Sequence, residues 1–200
     1  MDKKTIIIAV VAVLAILGAA ACSKESSRAN LKPFEQVGAA GAEEVAKVLN
    51  NQGTVIVVTE AIEGVANPNN EAQLKGFKAG LAKAKGVTLK EVKELKRDMS
   101  GDPREWPAGR VGEIANLASS AVVLFINLPQ TFPARDVAVL KGAKGKLVVI
   151  GTQSPQLDAA VNSGVVQAAI VARTPPPPAP SGAESPAQWF ARVYTVLRAP

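Results

Sequence analysis

The sequence predicts an α/β domain: a doubly wound, mostly parallel sheet of five strands in the order 2-1-3-4-5, with helices on both faces. Three observations predict it. The runs Thr54–Thr59, Ala121–Asn127 and Lys146–Gly151 are β-branched and apolar without polar alternation, as strands covered on both faces require. Between them lie segments whose apolar residues recur at spacings of three and four, the period of an amphipathic helix. Strand and helix alternating in this way close right-handed crossovers, and such crossovers build a parallel sheet.

Each element has its own local reason. After a polar tether over 23–32, Phe34, Val37, Gly41, Val45 and Val48 mark one face of a helix that ends near Asn50-Asn51, with Gly53 closing it. Thr54–Thr59 is the first strand, and a loop runs from Glu60 to Asn70. Leu74, Phe77 and Leu81 give a second helix to Lys85, and Val87 to Leu95, with weaker alternation, reads as an edge strand. Lys96 to Ala108, charged and carrying Pro103 and Pro107, is loop, and Val111, Ile114 and Leu117 give a third helix. The second buried strand is Ala121–Asn127, a short helix spans Arg135 to Leu140, and Lys146–Gly151 is the third buried strand. Pro155 opens a helix in its first turn, where a missing N–H costs nothing, and Gly164 stops it. Val165 to Val171 is the last strand. The domain so defined covers 33–173. A proline-rich spacer follows over 174–184, stiffened by Pro175 to Pro178 and Pro180, and 185–200 reads as a terminal helix bearing Trp189, Phe190, Val193 and Leu197.

The first 22 residues are of another kind. Asp2, Lys3 and Lys4 precede an uncharged run from Thr5 to Ala21, which ends in Ala20-Ala21-Cys22 before a polar stretch. This is a charged, then apolar, then small-residue arrangement, the pattern of an export signal. The segment resembles a bacterial lipoprotein signal, in which the cysteine becomes the lipidated mature N-terminus. Ala19 stands where such motifs most often carry leucine, and Ser23 resembles the class sent on to an outer membrane. The alternative is a retained signal anchor, since an apolar run of about 17 residues sits at the lower limit for crossing a bilayer. The chain's only cysteine falls where lipidation needs one, which favours the first reading. Both readings place the domain in the cell envelope, extracytoplasmic and membrane-anchored.

Composition removes several function classes. With no histidine and one cysteine, the chain cannot build a Ser-His-Asp or Cys-His relay, a disulfide framework or a Cys/His zinc site. The formal net charge of +6 is spread along the chain and argues only weakly for an anionic surface, so no nucleic-acid partner is expected. Glu43-Glu44, Glu91/Glu94 and Asp98/Asp102 lie among lysines or on predicted solvent faces and read as solvated surface. Gly38-Ala-Ala-Gly41 and Gly142-Ala-Lys-Gly145 do not follow strands in a phosphate-loop arrangement. No catalytic set, metal site or cofactor is assigned, and the chain is not expected to be an enzyme.

In a doubly wound sheet the binding crevice lies beyond the carboxyl ends of the strands, where the strand order reverses. That edge carries Thr59-Glu60, Asn127 to Gln130, Thr152 to Ser154 and Ala172-Arg173. The order of the segments also carries a resemblance. Gln52-Gly-Thr-Val-Ile-Val-Val58, Glu71-Ala-Gln-Leu-Lys-Gly-Phe-Lys-Ala-Gly-Leu81, Val148-Val-Ile-Gly-Thr-Gln-Ser-Pro-Gln-Leu157 and Asn162-Ser-Gly-Val-Val-Gln-Ala-Ala-Ile-Val-Ala172 follow one another as in the C-terminal lobe of the type I periplasmic sugar-binding fold. The resemblance covers about residues 34–175 and implies one half of a two-lobed clamp. It departs from the family at the ligand positions. Asn127-Leu128 stands in place of an Asn-Asp pair, Gly151-Thr152-Gln153 in place of a Gly-x-Asp turn, and Arg173 where a glutamine precedes proline.

Glu60, Asn127, Gln130, Gln153 and Arg173 are therefore the predicted ligand-binding set, with Arg173 the charge partner of a small polar or anionic solute such as a sugar. The opposing reading makes them ordinary polar caps on strand ends. Trp189 and Phe190 are expected to close their own domain, and the prolines to act as a spacer. Trp106 and Arg110 form a lid or a plain cover. The expected function is a membrane-anchored, non-catalytic solute-binding-like lipoprotein. The alternative is an envelope interaction module that kept the fold and lost the ligand, with a homodimer or another envelope protein as partner.

Overall fold

The computed structural model describes residues 31–61, 67–97, 101–102, 104–151 and 154–200. In chain order these form α1 (Lys32–Val48), β1 (Gly53–Ala61), α2 (Pro68–Lys83), β2 (Val87–Lys96), α3 (Arg110–Ala115), β3 (Ala121–Leu124), α4 (Ala134–Lys141), β4 (Lys146–Ile150), α5 (Leu157–Asn162), β5 (Ala168–Ala172), α6 (Pro186–Val193) and β6 (Tyr194–Arg198). They build one six-stranded sheet in the order β2-β1-β3-β4-β5-β6. The first five strands are parallel, and β6 is antiparallel to β5, with Ala172 opposite Tyr194 and Ala168 opposite Arg198.

Side chains on a strand alternate between its two faces, and here both faces are covered. Val55, Val57, Val123, Phe125, Val148 and Ile150 face the layer of α1 and α2, where Val37, Val45, Phe77 and Leu81 complete one core. Ile56, Val58, Val122, Leu124 and Val149 face the opposite layer and meet Ile114 of α3, Leu140 of α4, and Leu157 and Val161 of α5. That double burial is why the three central strands carry no polar alternation.

The α1–α2 contact is unusually close. A Cβ added at Gly76 would stand 1.9 Å from the Glu35 carbonyl oxygen, and one added at Gly38 would stand 1.9 Å from the Gln73 carbonyl oxygen. Only glycine lets the two backbones meet at these points.

The C-terminus departs from the sequence expectation of a single helix over 185–200. Ser185 accepts from Gln188 N, and the Gln188 side chain accepts from Ser185 N, a capping box that starts α6. The helix ends at Val193, and Tyr194–Arg198 adds a sixth strand to the open edge of β5. Tyr-Thr-Val-Leu suits a pleated, half-buried surface, and the edge of β5 offered unpaired backbone groups. Trp189, Phe190, Tyr194 and Val196 pack on the α1–α2 core, and the rings of Phe190 and Tyr194 stack with centroids 5.5 Å apart. Arg192 joins the preceding segment to this unit, donating to both Glu184 carboxylate oxygens at 2.7 and 2.8 Å and to the Pro177 carbonyl at 3.0 Å.

Glu44 also departs from expectation. It is not solvated surface: the residue is 5% exposed and accepts from Lys47 and from Arg198. Among the described residues no helix is long and apolar enough to cross a membrane. Cys22 and residues 23–30 of the expected tether lie outside the described residues, and Lys32, expected to end the tether, already opens α1.

Candidate functional site

The strand order reverses between β1 and β3, so the chain leaves these two carboxyl ends in opposite directions and a crevice opens between them. Glu60 stands at the end of β1, Arg97 follows β2, and Asn127 follows β3. Arg97 Nη1 lies 3.7 Å from Glu60 Oε2, and its backbone N–H donates to the Ala61 carbonyl at 3.0 Å.

Two cavities flank this pair. The smaller, about 150 Å³, is lined by Trp106, Asp102, Asn127, Gln130 and Ser154 together with the Glu60–Arg97 pair. Its wall is a loop held in place by hydrogen bonds. Trp106 Nε1 donates to the Asn127 carbonyl at 2.8 Å, Gln130 N donates to the Arg104 carbonyl at 3.0 Å, and the Trp106 ring meets Phe132 edge-on at 5.8 Å. Asp102 receives Arg104 Nε and Nη2 at 3.0 and 2.8 Å and Arg104 N at 2.9 Å. The guanidinium hydrogen bonds hold the Asp102 carboxyl down to about 2 and raise Arg104 above its ordinary value.

The larger cavity, about 320 Å³, lies toward α1 and α2 and is lined by Phe34, Asn67, Asn70, Gln73 and Phe125, again with Glu60, Arg97 and Asn127. Asn67 caps α2, its side-chain oxygen accepting from Asn70 N at 3.1 Å. Gln73 is 6% exposed and donates from Nε2 to the Ile150 carbonyl at 3.2 Å, which ties α2 to the end of β4.

Of the residues the sequence singled out, Glu60 and Asn127 line both cavities and Gln130 lines the smaller. Gln153 lies outside the described residues. Arg173 is not brought to this place. Its Nε donates to the Tyr194 carbonyl at 3.2 Å and its N–H to the Val193 carbonyl at 2.7 Å, so it serves the junction of β5 with α6 and β6. From β1 to β5 is three strand positions, roughly 14 Å at the usual strand spacing, too far for one small solute to bridge easily.

Sequence reasoning missed Arg97, the Asp102–Arg104 pair, Phe34 and the amides of α2. The spacing of Asp102 and Arg104, two residues apart in a proline-flanked loop, was the available signal for that pair. Trp106 resolves as a wall fixed to Asn127, whereas Arg110 is 7% exposed and donates from Nη2 to the Lys96 carbonyl at 2.8 Å beneath the loop. The cations that line the cavities are matched by carboxylates, Arg97 by Glu60 and Arg104 by Asp102. Glu105 adds a further carboxylate to the lining of the smaller cavity, so the arrangement offers hydrogen bonding beside aromatic surface with no cation in excess. No group of three or more metal-ligating side chains occurs among the described residues.

No family model matches the chain, and no curated protein matches it in sequence. Solved structures do resemble it. An arabinose binding protein from Geobacillus stearothermophilus, AraP, superposes with a TM-score of 0.52 at 20% identity over 69% of this chain and 45% of its own. An ABC transporter periplasmic solute binding protein from Actinobacillus succinogenes 130z, solved with bound D-allose, gives 0.50 at 14% identity over 69% and 46%. The XylFII molecule gives 0.51 at 12% identity over 84% and 61%. The chain thus spans about half the length of the first two. Over some two thirds of its residues, it has the α/β fold found in these binding proteins.

Proposed function

We propose that the chain is a non-catalytic, membrane-anchored solute-binding protein that holds a small polar solute, such as a sugar, at the carboxyl edge of its sheet. The observation that carries the reading is the meeting of two polar, aromatic-walled cavities at Glu60, Arg97 and Asn127, on the reversal point of the strand order. Solutes bind at that point in open α/β sheets. The pairing of both arginines with carboxylates favours a neutral hydroxylated ligand over the anion that an unmatched arginine would attract. Solute binding in the proteins of similar fold supports the same reading.

The anchor in this proposal is Cys22, lipidated after cleavage. Helix α1 begins at Lys32, and Phe34 in its first turn lines the larger cavity, so the tether leaves the domain on the side of the site. Ten residue steps separate the two points and extend to roughly 35 Å at most, which would hold the site close to the bilayer. Cys22→Ser is expected to release the protein from the membrane fraction. A second copy, or another lobe facing this edge, would complete a clamp of which the described residues supply one side.

A thermal-shift screen of the full chain against sugars, nucleosides, amino acids and small anions tests the binding claim. A solute at 100 times its Kd adds about 2.7 kcal/mol of stability, a readily measured rise. Stabilisation by a neutral hydroxylated solute is the expected result. No response from folded protein would overturn solute binding and move the function to an envelope interaction module.

A further inference from the structure

The two cavities open toward different helix layers, although Ile126 of the α3–α5 core also lines the larger one. Phe125 and Ile150, which line the larger, belong to the core beneath α1 and α2. Leu128 and Trp106, which line the smaller, belong with the core beneath α3, α4 and α5. What separates them is the Glu60–Arg97 pair, whose closest approach is 3.7 Å and whose side chains are 30% and 32% exposed. Both side chains of the pair and Asn127 belong to the lining of each cavity, so the two cavities meet at these three residues.

Resting on the reading of this edge as a solute site, we infer that the ligand is a two-ring, neutral carbohydrate, a disaccharide, which straddles the end of the sheet with one ring in each cavity. Size is the first argument. Ligand pockets run from roughly 300 to 1,000 Å³. The smaller cavity, about 150 Å³, is below that range and the larger, about 320 Å³, is at its lower limit, whereas the two joined across Glu60 and Arg97 fall inside it.

Chemistry is the second argument. Each cavity has its own aromatic surface and its own hydrogen-bonding groups: Trp106 with Gln130 and Ser154 in one, Phe34 with Asn67 and Asn70 in the other. A single ring would use one set and leave the other in water. Two rings joined through a glycosidic oxygen would use both, with Glu60, Arg97 and Asn127 placed at the linkage.

The test is calorimetric titration of the full chain with maltose, cellobiose, lactose and sucrose, and with their component monosaccharides. At least one disaccharide is expected to bind at least about tenfold tighter than either component, a difference of about 1.4 kcal/mol. Gln130→Ala and Asn70→Ala, one in each cavity, are each expected to weaken that disaccharide by about tenfold, the loss of a hydrogen bond at a confined site. Far-ultraviolet circular dichroism and an unchanged melting temperature would show that both variants fold. Monosaccharides binding as tightly as every disaccharide, or a disaccharide affected by only one of the two variants, would overturn the two-ring inference and leave the solute site standing. No binding by any of these sugars would overturn the carbohydrate reading and the inference with it.

Discussion

Arg198 closes on Glu44 across 154 residues of chain, its Nε and Nη2 donating to the same carboxylate oxygen at 2.9 and 2.7 Å. The other oxygen of Glu44 takes Lys47 Nζ at 2.6 Å, and the Glu44 side chain is only 7% exposed. The contact fastens β6 to α1 and so holds the C-terminal strand onto the core. Replacing Glu44 by Gln removes the charge from this junction while keeping its shape. The expected loss is about 1–2 kcal/mol, near the low end for charge-assisted hydrogen bonds because Arg198 is 56% exposed. Urea denaturation measures it, and a loss below about 0.5 kcal/mol would mean that β6 holds without this contact.

Gly76 permits α1 and α2 to meet at backbone distance. Gly76→Ala places a methyl 1.9 Å from the Glu35 carbonyl oxygen, and backbone cannot rotate away as a side chain can. The expected cost is about 3 kcal/mol, the upper part of the range for overpacking. Gly182→Ala, where no atom lies within 4 Å of the added methyl, is the matched control and is expected to change stability little.

The Asp102–Arg104 pair gives the loop beside the smaller cavity a dependence on pH. The Asp102 carboxyl titrates at about 2 when folded against the usual 3.8, because Arg104 hydrogen-bonds to its charged form. A depressed folded pKa adds stability that is fully present above the unfolded value and is lost as pH falls through the folded one, so the window runs from about pH 4 down to about pH 2. A carbon-detected NMR titration of Asp102 is expected to show a midpoint near 2 that returns to near 3.8 in Arg104→Ala. A midpoint near 3.8 in the unaltered protein would show that the pair does not persist in solution.

Arg173 is expected to matter for the seating of α6 and β6 and not for the solute. Its guanidinium donates to the Tyr194 carbonyl where β5 meets β6, away from the cavities that Glu60 and Asn127 line. Arg173→Ala should lower stability by about 1 kcal/mol, as for one lost hydrogen bond, and leave solute affinity unchanged. A collapse of affinity with stability intact would return Arg173 to the site.

What could be read from the sequence was what local pattern dictates. Thr54–Thr59, Ala121–Asn127 and Lys146–Gly151 announce strands because burial on both faces leaves no room for polar alternation, and their order follows from right-handed crossovers. The C-terminus was misread because Trp189, Phe190, Val193 and Leu197 fit a helical spacing. The edge of β5, a tertiary feature, then claims Tyr194–Arg198 for the sheet. At the carboxyl edge, Glu60 in β1 and Asn127 just past β3 stand where the strand pattern puts them, and both line the cavities. Arg97 and Asp102 were not legible, since loop residues reach a crevice by a path that periodicity does not encode. Glu44 looked like surface for a similar reason, because its partner Arg198 is remote in the chain. Arg173 belongs to the expected set because it stands at a strand end, and the width of the edge is a tertiary property that the sequence pattern does not carry.

The chain has two tryptophans, Trp106 in the wall of the smaller cavity and Trp189 in the C-terminal helix, and this permits one direct test of the central claim. In a Trp189→Phe background Trp106 is the sole indole reporter. Titrating that protein with a solute that raises the melting temperature should give a saturable change in Trp106 emission, and Asn127→Ala should weaken it. A solute that stabilises the protein without altering Trp106 emission would place binding elsewhere and contradict the assignment of the site to the carboxyl edge between β1 and β3.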